Sequence, residues 1–440
     1  MSRSRPYCGV SVNKVNIESL ALEHRGVSCV LGIDVAKLEL VAVARWPDGT
    51  FERPWQVRNP SEVGILIEKL SALNQACPLT VAMESSGTYG DAFRQSLHDA
   101  SLPLVRVSAK AVSDEGESFD GVPSHHDGKD AAIIADLAGR GKGRPWELVI
   151  SGDGDQEIRY WVRKLDGLQR MKQVHAGRLE ALLARHWPEV QRLLKGGSPT
   201  LLRVLARWGD PRALGADPQA AGVLSKFGGL RLTAVKIAAV IESAACTRGV
   251  RMNVWEALEV KDVAGQMLSQ RRELTRCRRQ LRVLALARPE IRVQEKALGL
   301  VTACVLWTYL GDPRNYGSAG AYRKAMGLNL VEQSSGRCKG TLRLSKRGQR
   351  LTRKWLYFAA LRLMQNPAVK PWTDRKKARD NGKGMLAVVA VMRRLAVASW
   401  HVAVHGVAFD AARLFPGPRV KKTAGPTPMS AMTPRTGEKE

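Results

Sequence analysis

Acid is what this chain is short of: 41 Asp and Glu stand against 69 Lys and Arg, leaving a formal charge of +28. Charge of that size decides nothing about fold, but it points to polyanionic partners. Ordered cysteine spacing is missing as well. Cys8, Cys29, Cys77, Cys246, Cys277, Cys304 and Cys338 are odd in number and never stand as C-x-x-C. That excludes a disulfide framework or cysteine zinc site and suits a reducing compartment. Aromatic residues make up only 6%, and Trp307, Trp355, Trp372 and Trp400 fall in apolar or amphipathic stretches that read as core. Long apolar runs are lacking too. The longest, near Leu300–Leu310, is too short to span a bilayer, and no apolar segment follows Arg3 and Arg5 to make a signal peptide. With neither a basic amphipathic anchor nor a lipidation signal, a cytoplasmic protein is expected.

What is present is unevenly spread. Residues 1–150 hold 16 of the basic and 19 of the acidic residues, a net of −3; the remaining 53 and 22 give 151–440 a net of +31. A near-neutral part joined to a strongly basic one suggests separate catalytic and nucleic-acid-gripping parts. Residues 1–25 read as a polar leader. From Val27, VSCVLGID, LELVAVARW and TFERPWQV read as a three-strand meander. A helix from Ser61, a strand at LTVAME, a helix near Tyr89–Ala100, a strand at LPLVRV and a helix from about Asp127 to Leu137 follow. This alternation predicts a mixed α/β sheet covered on both faces for 26–150. Arg159–Trp187 and Glu256–Leu286 carry apolar residues at spacings of three and four, predicting a helical hairpin or coiled coil within 151–288, with a small helical insert at 198–250. A mainly α third unit is expected over 289–415, and 416–440 reads as a disordered tail.

Four acids stand where chemistry can use them. Asp34 ends one apolar strand and Glu84 another, and ligands gather at strand ends in α/β sheets. Asp127 and Asp130, in HHDGKDAAIIADLA, share a helix face. Together they are hard oxygen ligands suited to Mg²⁺ or Mn²⁺, and a pair of such ions polarises a scissile phosphate. Taken singly each acid is more often a cap or turn former; the joint pattern is stronger, because charges at the ends of apolar strands demand compensation. His125 and His126 read as loop or substrate contacts.

Farther on, Ser334-Ser335-Gly336 precedes a run, Gly336–Lys383, with 15 Lys and Arg against only Asp374 and Asp380. A serine hydroxyl needs a base, a metal or nearby cations to act as a nucleophile. Arg337, Lys339, Arg343, Lys346, Arg347, Arg350, Arg353 and Lys354 are candidate phosphate contacts. On the residues alone a solvated loop on a nucleic-acid backbone is the commoner meaning of such a stretch.

GIDVAKLELVAVA, VAMESSGTYG and HHDGKDAAIIADLA resemble the motif blocks of the DEDD-type insertion-sequence transposases, the IS-one-ten family. The later progression Gly327-Leu328, Ser335-Gly336, Ser345-Lys346-Arg347-Gly348 is similar to that family's C-terminal transposase domain. The resemblance runs from about Val27 to Ala360, with the middle helices alike only in character. One departure is His125-His126, where the family has Lys-Thr. The resemblance implies a RuvC-like, RNase H-fold domain carrying a metal site at Asp34, Glu84, Asp127 and Asp130. It places the nucleophilic serine at Ser335, with Ser334 in reserve, forming a covalent phosphoserine link to DNA. It further implies a Mg²⁺ or Mn²⁺ cofactor, donor and target DNA, a structured noncoding bridge RNA as guide, and a dimer or tetramer in the bacterial nucleoid. Sequence choice by base pairing fits a protein that reads backbone and shape through Lys and Arg. Two rivals remain: a metal-dependent nuclease of the same fold that uses no serine, and a non-catalytic nucleic-acid-binding protein. A sugar-kinase-like ATPase is disfavoured, since Ala36-Lys37-Leu38 is no glycine-rich phosphate loop.

Overall fold

The computed structural model describes residues 7–85, 87–122, 126–146, 153–335 and 338–416, with backbone alone at 153, 231, 333–335, 338, 339 and 341. Contacts within the chain divide it into two units, Met1–Ile150 and Ser151–Glu440.

In the first unit, β1 (Val10–Ser11) and α1 (Ile17–Glu23) precede the meander β2 (Cys29–Val35), β3 (Glu39–Arg45) and β4 (Trp55–Arg58). Then come α2 (Val63–Ala76), β5 (Leu79–Glu84), α3 (Asp91–Asp99), β6 (Leu104–Val107), α4 (Ala109–Glu115), α5 (Asp127–Gly139) and β7 (Arg144–Pro145). The sheet order is β1-β4-β3-β2-β5-β6-β7. β2 runs antiparallel to β3 and parallel to β5, with Ile33 opposite Met83. Side chains alternate faces along a strand. Cys29, Leu31, Ile33, Leu79, Val81 and Met83 therefore meet Leu66, Leu70 and Leu73 of α2 in one core, while Ala82 joins Ile133, Ile134 and Leu137 of α5 on the other face.

The segment expected as a polar leader is folded from Val10 onward. β1 pairs in parallel with β4, and Val12, Val15 and Ile17 are buried in the α2-side core. Its apolar residues are few, but they fall where a sheet edge and the α2 surface need covering. The third strand is shorter than TFERPWQV, because Pro54 supplies no amide for the ladder ahead of Trp55.

The second unit is helical. α6 (Asp153–His186) and α12 (Val254–Leu286) lie antiparallel. Ile158, Trp161 and Leu165 pack with Leu274, Cys277 and Leu281 at one end, and Leu179, Leu183 and Trp187 pack with Val260, Val263 and Met267 at the other. Between the ends the seam loosens: Met171 and Val174 are exposed. Short helices α7 (Val190–Leu193), α8 (Pro199–Trp208), α9 (Pro211–Ala216), α10 (Ala220–Gly228) and α11 (Ala234–Ala245) link them.

Beyond α12 come α13 (Pro289–Arg292), α14 (Glu295–Leu298), α15 (Leu300–Leu310) and α16 (Ala319–Ala325). The hairpin β8 (Leu330–Ser335) and β9 (Cys338–Leu344) follows, then α17 (Arg350–Leu363), α18 (Lys370–Arg379), α19 (Gly384–His405) and α20 (Ala411–Leu414). Gly299, at φ +75°, separates α14 from α15 in the stretch ALGLVTACVLWTYL. Among the described residues α19, rather than Leu300–Leu310, is the helix long and apolar enough to cross a membrane by composition. Here Val388, Val391, Leu395 and Ala396 pack with Leu356, Ala360 and Tyr322 in the core of this unit.

Candidate functional site

β2 and β5 are adjacent and in parallel register through Ile33 and Met83, so Asp34 and Glu84 come one step later on both strands, side by side on the α5 face. A glycine lets α5 lie flat against that face. A Cβ on Gly32 would collide with the Ala131 carbonyl and the Ala135 amide and stand 2.8 Å from the Ala135 Cβ. The helix answers with small residues, Ala131, Ala132 and Ala135, all buried. With α5 held against Gly32, two residues before Asp34 along β2, its first turn, carrying Asp127 and Asp130, falls beside the strand ends.

The electrostatics report the result. The Asp34 carboxyl is pushed up to about 6, by burial first and then by the charges of Asp127, Asp130 and Glu84. Glu84 is raised by burial and by Asp130. All four acids therefore act on one region, where burial first and like charge second favour the protonated form. Among the described residues no three His, Cys, Asp or Glu side chains stand close enough to hold a metal ion as they are.

The first turn of α5 is anchored by residues outside the set of four acids. Lys129, between the two acids, is fully buried; its Nζ donates to Asp120 Oδ1 at 2.6 Å and to the Val122 carbonyl at 2.5 Å. Tyr7 Oη donates to the other Asp120 oxygen at 2.9 Å. His126 caps the helix, its Nδ1 accepting from the Gly128 amide at 3.1 Å, so capping is its observed contact and Asp127 is not its own helix's cap. His125 lies outside the described residues. Sequence reasoning missed Lys129 and Gly32. The signal for Gly32 was a glycine inside an otherwise β-branched strand, which marks close backbone approach.

In the second unit, Ser334 and Ser335 end β8, and Ser335 pairs with Cys338 across the tip of the hairpin. The ladder shifts register between Gln333 and Ser335. Their side chains, that of Lys339, and Gly336 and Arg337 entire lie outside the described residues, as does the tail from 417. The other motif elements interlock. Ser345 N donates to the Asn329 carbonyl at 2.7 Å and Lys346 N to the Gly327 carbonyl at 3.1 Å. A Cβ on Gly348 would stand 2.6 Å from the Gly327 nitrogen. The candidate phosphate contacts fall into two groups. Arg343, Lys346, Arg347 and Arg350 are exposed. Arg353 Nη1 donates to the Met326 and Gly348 carbonyls at 3.1 and 2.9 Å, and Lys354 pairs at 3.2 Å with Asp166, a largely buried acid of α6 that Arg170 also meets.

A mixed sheet in which two antiparallel strands flank a parallel set, with carboxylates at the central strand ends, defines an RNase H-like domain of the kind that nucleic-acid enzymes use. Residues 31–188 match the family model of the DEDD transposases of the IS110 type, and residues 294–375 match that of the IS116/IS110/IS902 transposase family. No curated protein matches the chain. The two matched spans together cover more than half of it, and the chain belongs to this family: it is an IS110-type DEDD transposase, an enzyme of DNA transposition and recombination.

Proposed function

We propose that this transposase cuts and rejoins DNA with Ser335 as nucleophile, assisted by a divalent-metal site at Asp34, Glu84, Asp127 and Asp130. The observation that carries the metal half is the electrostatic coupling of Asp34 to the other three acids. An oxygen-only donor set whose members repel one another is the environment that a hard cation relieves. Metal dependence is typical of DEDD transposases. Because the carboxylates are not yet at ligating separations, binding would draw them inward. Mg²⁺ or Mn²⁺ held by these four side chains would supply positive charge to the scissile phosphate and its leaving oxygen.

The serine half rests on motif position and on the hairpin tip that presents the Ser334–Ser335 doublet. In the proposed step Ser335 Oγ attacks phosphorus, the phosphoserine P–O bond forms, and one P–O bond to deoxyribose breaks. The serine proton leaves with a general base, and the freed deoxyribose oxygen takes up a proton. Attack of a deoxyribose hydroxyl on the phosphoserine reverses the exchange and rejoins the strand. The exposed Arg343, Lys346, Arg347 and Arg350 hold the phosphate backbone. A structured noncoding RNA then chooses donor and target sequences by pairing, and a dimer or tetramer in the bacterial cytoplasm assembles on the DNA.

The test is a protein–DNA adduct that survives denaturation. Incubation with Mg²⁺, cognate DNA and RNA yields an adduct in the wild type and none in Ser335→Ala. An adduct lost only in Ser334→Ala moves the nucleophile by one residue. Undiminished strand cleavage in the double variant replaces this reading with that of a serine-independent nuclease.

A further inference from the structure

A second binding site stands apart from the acids and the serine hairpin. Within the helical unit, α12, α15 and α17 line an open cavity of about 680 Å³ with the first turn of α15 as its floor. That volume admits a nucleotide. Arg278 and Arg282 reach it from successive turns of α12, and Arg362 from α17, where its guanidinium covers Gly299. These three arginines have no ion pair among the described residues, although α6 and α12 use ion pairs freely elsewhere, such as Lys164 with Glu273 at 2.7 Å and Arg178 with Glu259 at 2.7 Å. One carboxylate, Glu295, lines the same cavity, and the guanidiniums outnumber it.

The wall between the cations is aromatic. Trp355 is buried as part of the core, but Phe358, one helical turn later, is 46% exposed and sits edge-on to Trp355 at 6.1 Å. An exposed phenyl ring braced by a buried indole here shares a cavity with three guanidiniums that have no ion pair among the described residues. Solvation explains the arginines, and it leaves the ring unexplained. A ligand with an anionic group and a flat π-face explains both.

The geometry points to a pocket for one unpaired nucleotide of a nucleic-acid strand, its phosphate held by Arg278, Arg282 and Arg362 and its base stacked on Phe358. A paired base keeps its faces covered within the duplex, so the pocket favours strands that are single or locally opened. The proposal rests on the reading of this unit as nucleic-acid-gripping and adds to it the strand state and the residues.

The experiment is an anisotropy titration of the full chain with labelled single-stranded DNA, single-stranded RNA of the same sequence, and the matching DNA duplex. Phe358→Ala is expected to weaken single-strand binding about tenfold and leave duplex binding unchanged, while Phe358→Tyr restores it. Arg278→Ala with Arg282→Ala should weaken single-strand binding and flatten its salt dependence. The two single-stranded arms show whether DNA, RNA or both occupy the pocket. Equal single-strand affinity in Phe358→Ala and wild type overturns the pocket while sparing the broader reading. A wild type that binds neither the duplex nor the single strands overturns both. Because Phe358 is exposed, an unchanged melting curve in Phe358→Ala separates lost binding from lost folding.

Discussion

The two units solve opposite electrostatic problems. The first is nearly neutral, yet it concentrates four carboxylates at two strand ends and one helix start, near enough for the other three to raise the pKa of Asp34. The second carries a net +31 and spreads its cations over surfaces where water screens them. The acids are set by backbone geometry, since strand register and a flat helix bring their backbones to one region before any ligand arrives. The cations are set by side-chain reach: some, such as Arg353 and Lys354, are bound within the chain, and others, such as Arg343 and Arg350, are exposed. Positional errors should therefore be severe in the first unit and mild in the second.

The largest effect is expected where that rigidity is strongest. Gly32→Val forces α5 off β2, since even a Cβ at that site collides with the Ala131 backbone. Overpacking of this kind costs about 3 kcal/mol. The thermal midpoint of the variant should fall sharply and DNA cleavage should be undetectable. An intact midpoint would mean that the helix is not pinned as described.

Next is Lys129→Met, which keeps the volume but removes the buried ammonium that ties Asp120 and Val122 to α5. A fall of roughly 5 °C in melting temperature is expected, with reduced cleavage, because an opened anchor lets the first turn fray. Unchanged cleavage in a folded variant would show that this turn needs no anchor.

Arg353→Ala and Arg350→Ala contrast two cations three residues apart. Arg353→Ala should cost about 1–2 kcal/mol in chemical denaturation, because two carbonyls lose their donor. Arg350→Ala should leave stability intact, weaken DNA binding uniformly across sequences and reduce the salt slope by about 1. An exchange of the two phenotypes would refute the division of the basic run.

Much of the first unit was legible in the sequence because alternation and strand length leave a local trace. LTVAME is β5 residue for residue, and acids closing apolar strands stand out against their neighbours. Gly32 left a trace, a glycine inside a strand, that did not say what approaches it, whereas Lys129 and the cap made by His126 left none. Their roles lie in groups distant in sequence, or in a cap geometry that histidine seldom provides, and no periodicity carries that information. The basic run was opaque in another way. Arg350 and Arg353 look alike as letters, and only the carbonyls of Met326 and Gly348 distinguish them.

A smaller effect follows from pH. In metal-free buffer the raised pKa of Asp34 means that the folded state binds its proton more tightly than the unfolded chain. Stability on this account is greatest below about pH 4 and declines as pH rises through about 6, where the carboxyl ionises among like charges. Asp34→Asn removes the ionisation and should stabilise the metal-free protein at pH 8 by about 1 kcal/mol, allowing for solvent screening of a partly buried group. The gain should shrink toward pH 4, as measured by denaturant midpoints. A variant that is less stable than wild type at pH 8 would contradict the sign.

The claim that the four acids act as one site is tested most directly by titrating the full chain with Mn²⁺ while following the free ion by electron paramagnetic resonance. The account predicts saturable binding that is lost in Asp34→Asn, Glu84→Gln, Asp127→Asn and Asp130→Asn alike. Binding that survives in any one of these variants unchanged, or a wild type that takes up no ion, would contradict it.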